Sequence, residues 1–186
     1  MNALMDTIEE SGNKMVDTNL IQKALRFATE SHASINHKRK YTGEDYIVHP
    51  IEVAELVKKY GGSNIQQAAA LLHDTVEDTP VTIMDIQREF GPEVADLVAD
   101  LTDISKPEDG NRKFRKDMDR QHTAMASADA QVVKLADLVS NSISIKQHDS
   151  QFWKVYQQEK IALLNVMDKV SNHPLYSLAQ GQVKDV

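Results

Sequence analysis

Cysteine is absent from the 186 residues, which removes a disulfide framework, a thiolate nucleophile and a sulfur-ligated metal site together. Any metal must be held by histidine, carboxylate and water, and the expected compartment is a reducing, cytoplasmic one. Positive charge is also scarce: 21 lysines and arginines stand against 28 aspartates and glutamates, a net charge of −7. Broad nucleic-acid binding needs a basic surface to neutralise phosphates, so that class is disfavoured. No apolar run approaches the ~20 residues of a membrane span. The start, Met1-Asn2-Ala3-Leu4-Met5-Asp6, has neither the basic opening nor the apolar core of a targeting signal. Strand-like alternation and fixed-period repeats are missing as well.

With 41% hydrophobic and 26% charged residues, the chain fits a single globular domain over 1–186 with a real core. Apolar residues recur at helical spacing, which predicts an all-α fold. Leu20, Ile21, Ala24, Leu25 and Ala28 make a first helix, capped at Asp17 or Thr18 and ending near 34–43. Pro50 opens a second, with Ile51, Val53, Ala54, Leu56 and Val57 inside and Gly61-Gly62 stopping it. Ser63 caps a third. Thr82 and Asp85 form a capping-box pattern, and Gly91 closes that helix before Pro92 starts the next, whose Val94, Leu97, Val98 and Leu101 face the core. A turn-rich loop spans 102–110. A polar helix near 111–127, anchored by Phe114, Met118 and Met125, reads as a lid. The last long helix, about 150–170, uses Phe152, Trp153, Tyr156, Ile161, Leu164 and Met167 as core.

The chemistry concentrates in Ala69-Ala70-Leu71-Leu72-His73-Asp74-Thr75-Val76-Glu77-Asp78. At helical pitch Asp74, Glu77 and Asp78 share a face and His73 stands about 100° round. Three acids this close to a buried apolar run repel one another unless a cation holds them. A lone His-Asp dipeptide matches often by accident, so other residues must support it. The apolar helix bearing Val132, Val133, Leu135, Ala136, Val139 and Ile143 carries Lys134, Asp137 and Asn141 on one face, and that stripe needs a polar partner in the core. His49, fixed before Pro50, completes a two-His, two-Asp set. His73 follows His49 by 24 positions, and Asp137 follows Asp74 by 63, so the ligands come from different helices of a bundle. The mixed nitrogen and oxygen set suits Mn²⁺ first, with Fe²⁺, Zn²⁺ or Co²⁺ as substitutes.

The order His, His-Asp, Asp on helices resembles the HD superfamily of metal-dependent phosphohydrolases, and more closely the hydrolase domain of RelA/SpoT proteins and the stand-alone small alarmone hydrolases. Arg39-Lys40, Tyr46-Ile47-Val48-His49-Pro50, the 69–79 block, Phe90-Gly91-Pro92-Glu93-Val94 and Lys134-Leu135-Ala136-Asp137 with Asn141 carry the likeness, over residues 18–168. The resemblance implies an HD helical bundle that removes the 3′-pyrophosphate of (p)ppGpp. It also implies Mn²⁺ on His49, His73, Asp74 and Asp137, with Glu77 and Asp78 orienting and deprotonating the water, Glu77 as the base. Arg39, Lys40, Lys134 and Asn141 are implied to hold the nucleotide, and Arg112-Lys113 the diphosphate. Leu138, where many relatives have a basic residue, and Ser140, Ser142 and Ser144 depart from the pattern around base and sugar. The length leaves no room for a synthetase domain, so a hydrolase acting alone is expected. Two alternatives stay open: the same chemistry on ppApp or NADPH, and an HD module that binds nucleotide without turnover.

Overall fold

The computed structural model describes residues 19–184. Ten α-helices follow in order: α1 (19–34), α2 (Val48–Lys59), α3 (Asn64–Leu72), α4 (Thr75–Asp78), α5 (Ile83–Phe90), α6 (Pro92–Leu101), α7 (Arg112–Met125), α8 (Ala128–His148), α9 (Ser150–Leu164) and α10 (Pro174–Lys184). Among the described residues no strand forms, and one isolated bridge pairs Lys38 with Asp45. The all-α expectation is met. The cap expected at Asp17 or Thr18 lies outside the described residues.

Helix α8 is the axis of the bundle, packed by α2, α3, α6, α9 and α10. Its Val133, Leu135 and Ala136 are fully buried, and each large aliphatic side chain so buried contributes about 1.5–3 kcal/mol. Ala68, Ala69 and Ala70 on α3 are buried too, and side chains this small allow α2, α6 and α8 to close in on one short helix. The boundaries follow local chemistry. Ser63 and Gln66 make a reciprocal capping box at α3, and Thr82 and Asp85 make another at α5. Gly91, at φ 84°, ends α5 while Pro92 opens α6. At the end of α2, Gly61 takes the left-handed φ of 85° and the Gly62 N–H donates to the Val57 carbonyl.

Four expectations are corrected. Helix α2 starts at Val48, two residues before Pro50, so His49 lies within its first turn. Phe114 and Met125 do not anchor α7: they are 54% and 80% exposed, while Asp119 and Thr123 are the buried positions. Asp119 accepts hydrogen bonds from Ser105 N and Oγ at 3.0 and 2.9 Å, so polar contacts tie the 102–110 loop to α7. On α8, Ile143 is 59% exposed. The final helix stops at Leu164, after which a 3₁₀ turn (Asp168–Val170) leads to α10, whose Leu175 and Ala179 are buried. Trp153 and Met167 are core residues as expected.

Candidate metal centre

The apolar helix carrying the His-Asp pair does not run on through it. Helix α3 ends at Leu72, Asp74 takes φ −95°, ψ −4°, and α4 starts afresh at Thr75. Side chains cause the break: Thr75 Oγ1 donates to the Leu72 carbonyl at 2.6 Å, and the His73 Nδ1–H donates to the Ala70 carbonyl at 2.7 Å. Both satisfy carbonyls that the terminating helix leaves open. The second bond also fixes the ring, leaving His73 Nε2 as the nitrogen turned to the site, where a cation would displace its proton.

That nitrogen faces the carboxylates. His73 Nε2 lies 3.0 Å from Asp74 Oδ2 and 3.8 Å from Asp137 Oδ1, while His49 Nε2 lies 3.1 Å from Asp137 Oδ1 and 3.8 Å from Asp74 Oδ2. Ligand atoms of His49, His73 and Asp74 lie within 4.8 Å of one another. His73 Nε2 is buried beside these carboxylates without a well-directed hydrogen bond to either, and a buried group of this kind calls for a ligand. Two imidazoles and two carboxylates gathered in this way fit a divalent cation.

Electrostatics agree. Burial opposes a charged His73, but the Asp74 and Asp137 carboxylates outweigh it and raise its pKa to about 9. Asp74 and Asp137 are held well below the usual carboxylate range against their own burial, Asp74 chiefly by His73 and Asp137 chiefly by Lys134. The site draws positive charge, which a metal ion supplies. Supporting bonds hold the ligands in place. Tyr46 donates to Asp74 Oδ2 at 2.6 Å, Asn141 donates to Asp137 Oδ1 at 2.6 Å, and Lys134 Nζ stands 3.3 Å from Asp137 Oδ2. Behind His49, its Nδ1 meets Ser140 Oγ at 3.1 Å, and that hydroxyl donates to Glu52 at 2.8 Å.

Glu77 and Asp78 point to different neighbours. Glu77 accepts from the Asp103 backbone N–H, and burial together with the Asp103 charge pushes it up to about 7. Asp78, raised to about 6 by burial and Asp74, has its Oδ2 3.8 Å from His37 Nδ1. Both line a cleft of about 550 Å³ with Asp103, Arg112, Arg115 and Lys116. Arg112 pairs with Glu159 through two 2.8 Å bonds. Lys113 lies outside this cleft, with its side chain 88% exposed and 3.6 Å from Asp117. Arg115 and Lys116, outside the basic pair the resemblance implies, line the cleft. Helical spacing signals Arg115, one turn on from Arg112, and its buried Nε has no partner.

A second cleft, of about 210 Å³, is lined by Arg39, Lys40, Tyr46, Asn141, Ser144 and Phe152 among others. The Arg39 guanidinium lies 6.0 Å from the centre of the Tyr46 ring. Lys40 lies 5.5 Å from that of Phe152 and pairs with Asp149 at 3.8 Å. Tyr46 and Asn141 belong both to this cleft and to the bonds on the aspartates. Leu138 is buried in the core, and Ser142 bonds Lys160, so neither faces the cleft.

Helices that bring a His, a His-Asp pair and a distant Asp together in a bundle define an HD-type centre. The HD domain family model matches residues 24–163, and the chain belongs to that family. The Xenopus tropicalis guanosine-3′,5′-bis(diphosphate) 3′-pyrophosphohydrolase MESH1 is 35% identical over 74% of this chain and 75% of its own length. The Aquifex aeolicus enzyme of the same activity name is 38% identical over 65% of this chain. A Synechocystis protein named as a probable enzyme of this activity is 41% identical over 66%. The matches span only 17% and 16% of these two longer relatives. Among solved structures, a metazoan ortholog of SpoT described as hydrolysing ppGpp superposes with TM-score 0.74 at 25% identity, covering 89% of this chain and 94% of that one.

Proposed function

We propose that this chain is a Mn²⁺-dependent guanosine-3′,5′-bis(diphosphate) 3′-pyrophosphohydrolase, a single HD domain over 1–186 working in the cytoplasm, that converts ppGpp or pppGpp to GDP or GTP plus pyrophosphate. The observation that carries the reading is the convergence of His49, His73, Asp74 and Asp137, whose aspartates are bonded by Tyr46 and Asn141 from the aromatic-lined cleft. The named activity of relatives at 35–41% identity supports it.

Those four residues would hold the ion, which when bound polarises a phosphoryl oxygen and makes water a better nucleophile near neutral pH. The chain's own groups do the rest. Arg112, Arg115 and Lys116 bind the 3′-diphosphate in the larger cleft, where planar guanidinium groups match phosphate oxygens. Arg39, Tyr46 and Asn141 hold the nucleoside, Arg39 by stacking and Asn141 through the sugar or base. Lys40 serves the same cleft from its rim. Glu77 accepts the proton of the attacking water, and its pKa near 7 suits a base at neutral pH. Asp78 orients that water. The water oxygen bonds to the phosphorus on the 3′-oxygen, the P–O3′ bond breaks, and the leaving 3′-oxygen takes up the proton that Glu77 accepted, which restores the base. Lys134 neutralises Asp137 and its acidic neighbours, keeping the ligand carboxylate ionised.

A second reading keeps this chemistry but changes the nucleotide to ppApp or NADPH. Ser144 favours it, since it lines the nucleoside cleft as a small, uncharged side chain. A panel of ppGpp, pppGpp, ppApp and NADPH, with products resolved by chromatography, decides: GDP and pyrophosphate from ppGpp support the guanosine reading. Faster cleavage of another member moves the substrate. Binding without turnover of any makes the chain a nucleotide-binding module.

A further inference from the structure

A second nitrogen and oxygen cluster stands beside the first. His32 on α1 is 1% exposed, and its Nδ1 lies 3.2 Å from His37 Nδ1. His37 Nδ1 in turn lies 3.8 Å from Asp78 Oδ2. One ligand atom from each of the three lies within 4.8 Å of the others. The backbone builds this approach: Asn36 takes the left-handed φ of 53°, and the His37 N–H returns to the His32 carbonyl at 3.0 Å. Tyr46 fixes the His37 ring by stacking on it at 3.7 Å and 9°, while its hydroxyl is committed to Asp74.

Two neutral imidazoles meeting Nδ1 to Nδ1 share one proton, and that pair makes no use of the carboxylate that faces it. The separation, by contrast, matches a metal: two imidazole nitrogens each ~2.05 Å from a tetrahedral ion stand ~3.3 Å apart. Asp78 is a third exposed and can swing the remaining distance. Burial holds the His32 pKa down to about 4, so the ring is neutral and its lone pair available at physiological pH.

We propose that His32, His37 and Asp78 form a second divalent-metal site, separate from the His49, His73, Asp74 and Asp137 centre and suited to Zn²⁺ or Co²⁺. Two imidazoles with a single carboxylate make it the more nitrogen-rich of the two, favouring these borderline ions over Mn²⁺. An ion there withdraws Asp78 from the hydrolytic cleft and slows turnover. That consequence rests on the proposed activity, whereas occupancy of the site does not.

Equilibrium dialysis of the metal-stripped full chain against Zn²⁺, followed by elemental analysis, tests the site without reference to catalysis. The wild type should hold two equivalents, and His37→Ala one. Asp78→Asn, isosteric and on the surface, should also hold one, which guards against a folding defect in the histidine variant; far-UV circular dichroism checks both. Asp137→Asn should keep the His37-dependent equivalent. A wild type that holds no more metal than folded His37→Ala and Asp78→Asn overturns the proposal.

Discussion

Asp103→Asn should move the acid limb of the pH–rate profile to lower pH. Glu77 owes its pKa of about 7 first to burial and next to the Asp103 charge, with Lys134 pulling the other way. Asparagine removes that negative charge and also loosens Lys116, which lies 2.7 Å from the Asp103 carboxylate and 3.5 Å from Asp119. Both changes favour ionised Glu77. Two carboxylates a few ångström apart at an effective dielectric near 20 repel by about 1–2 kcal/mol once partial exposure is allowed for. That is roughly one pH unit. A base must be ionised to work, so the rate rises with pH through the Glu77 pKa. At pH 6 a base of pKa about 7 is ~9% ionised and one of pKa about 6 is ~50%, so the variant should run ~5-fold nearer its plateau. Initial rates of ppGpp cleavage from pH 5 to 8.5 at saturating metal measure this. A bound cation lowers both limbs together and leaves their separation. A limb that stays put or moves upward in Asp103→Asn refutes the assignment of Glu77 as the base.

Glu77→Gln, measured by single-turnover kinetics and nucleotide titration, should lose about 10²–10⁴-fold in rate while nucleotide and metal still bind. Lys160 is fully buried among neutral partners, Ser142 Oγ at 2.7 Å and Gln182 Oε1 at 2.5 Å, and burial lowers its pKa from 10.5 to about 7. Between those values the unfolded chain binds more protons, so this group adds stability as pH rises from 7 to 10, by up to about 4 kcal/mol. Urea melts should show wild type gaining on Lys160→Met by up to that amount over this range; a constant difference between the two would count against a depressed Lys160. Gly62→Ala should cost about 1–3 kcal/mol in the same assay, because a Cβ there would meet the Val57 side chain and stand 2.9 Å from its carbonyl oxygen. No loss would mean that α2 relaxes at its end.

Features legible in the sequence were those set by local rules. Ser63 with Gln66, Thr82 with Asp85 and Gly91-Pro92 put helix ends where capping chemistry predicts. The Lys134, Asp137, Asn141 stripe announced a polar centre inside an apolar helix, and the structure brings Asp137 to the two histidines. What escaped depends on competition between distant groups. Continuous helix through His73 loses to the side-chain bonds of His73 and Thr75, which only a buried end makes worthwhile. Phe114 and Met125 read as anchors by composition, yet Asp119 is buried in their place because Ser105, fourteen residues away, supplies its donors. Lys160 gave no signal, since one lysine in a mixed helix reads as exposed. Of the basic run at 112–116, Arg112, Arg115 and Lys116 line the cleft and Lys113 does not, a division set by the direction of α7 rather than by residue type.

The proposed hydrolysis requires one ion held by four ligands. Its most direct test is to strip the metal, add Mn²⁺ in steps, and follow GDP and pyrophosphate release from ppGpp in the wild type and in Asp137→Asn. Turnover that vanishes on stripping, returns with Mn²⁺ in the wild type and fails to return in folded Asp137→Asn is the predicted result. Metal-independent turnover, or full recovery in Asp137→Asn, would contradict it.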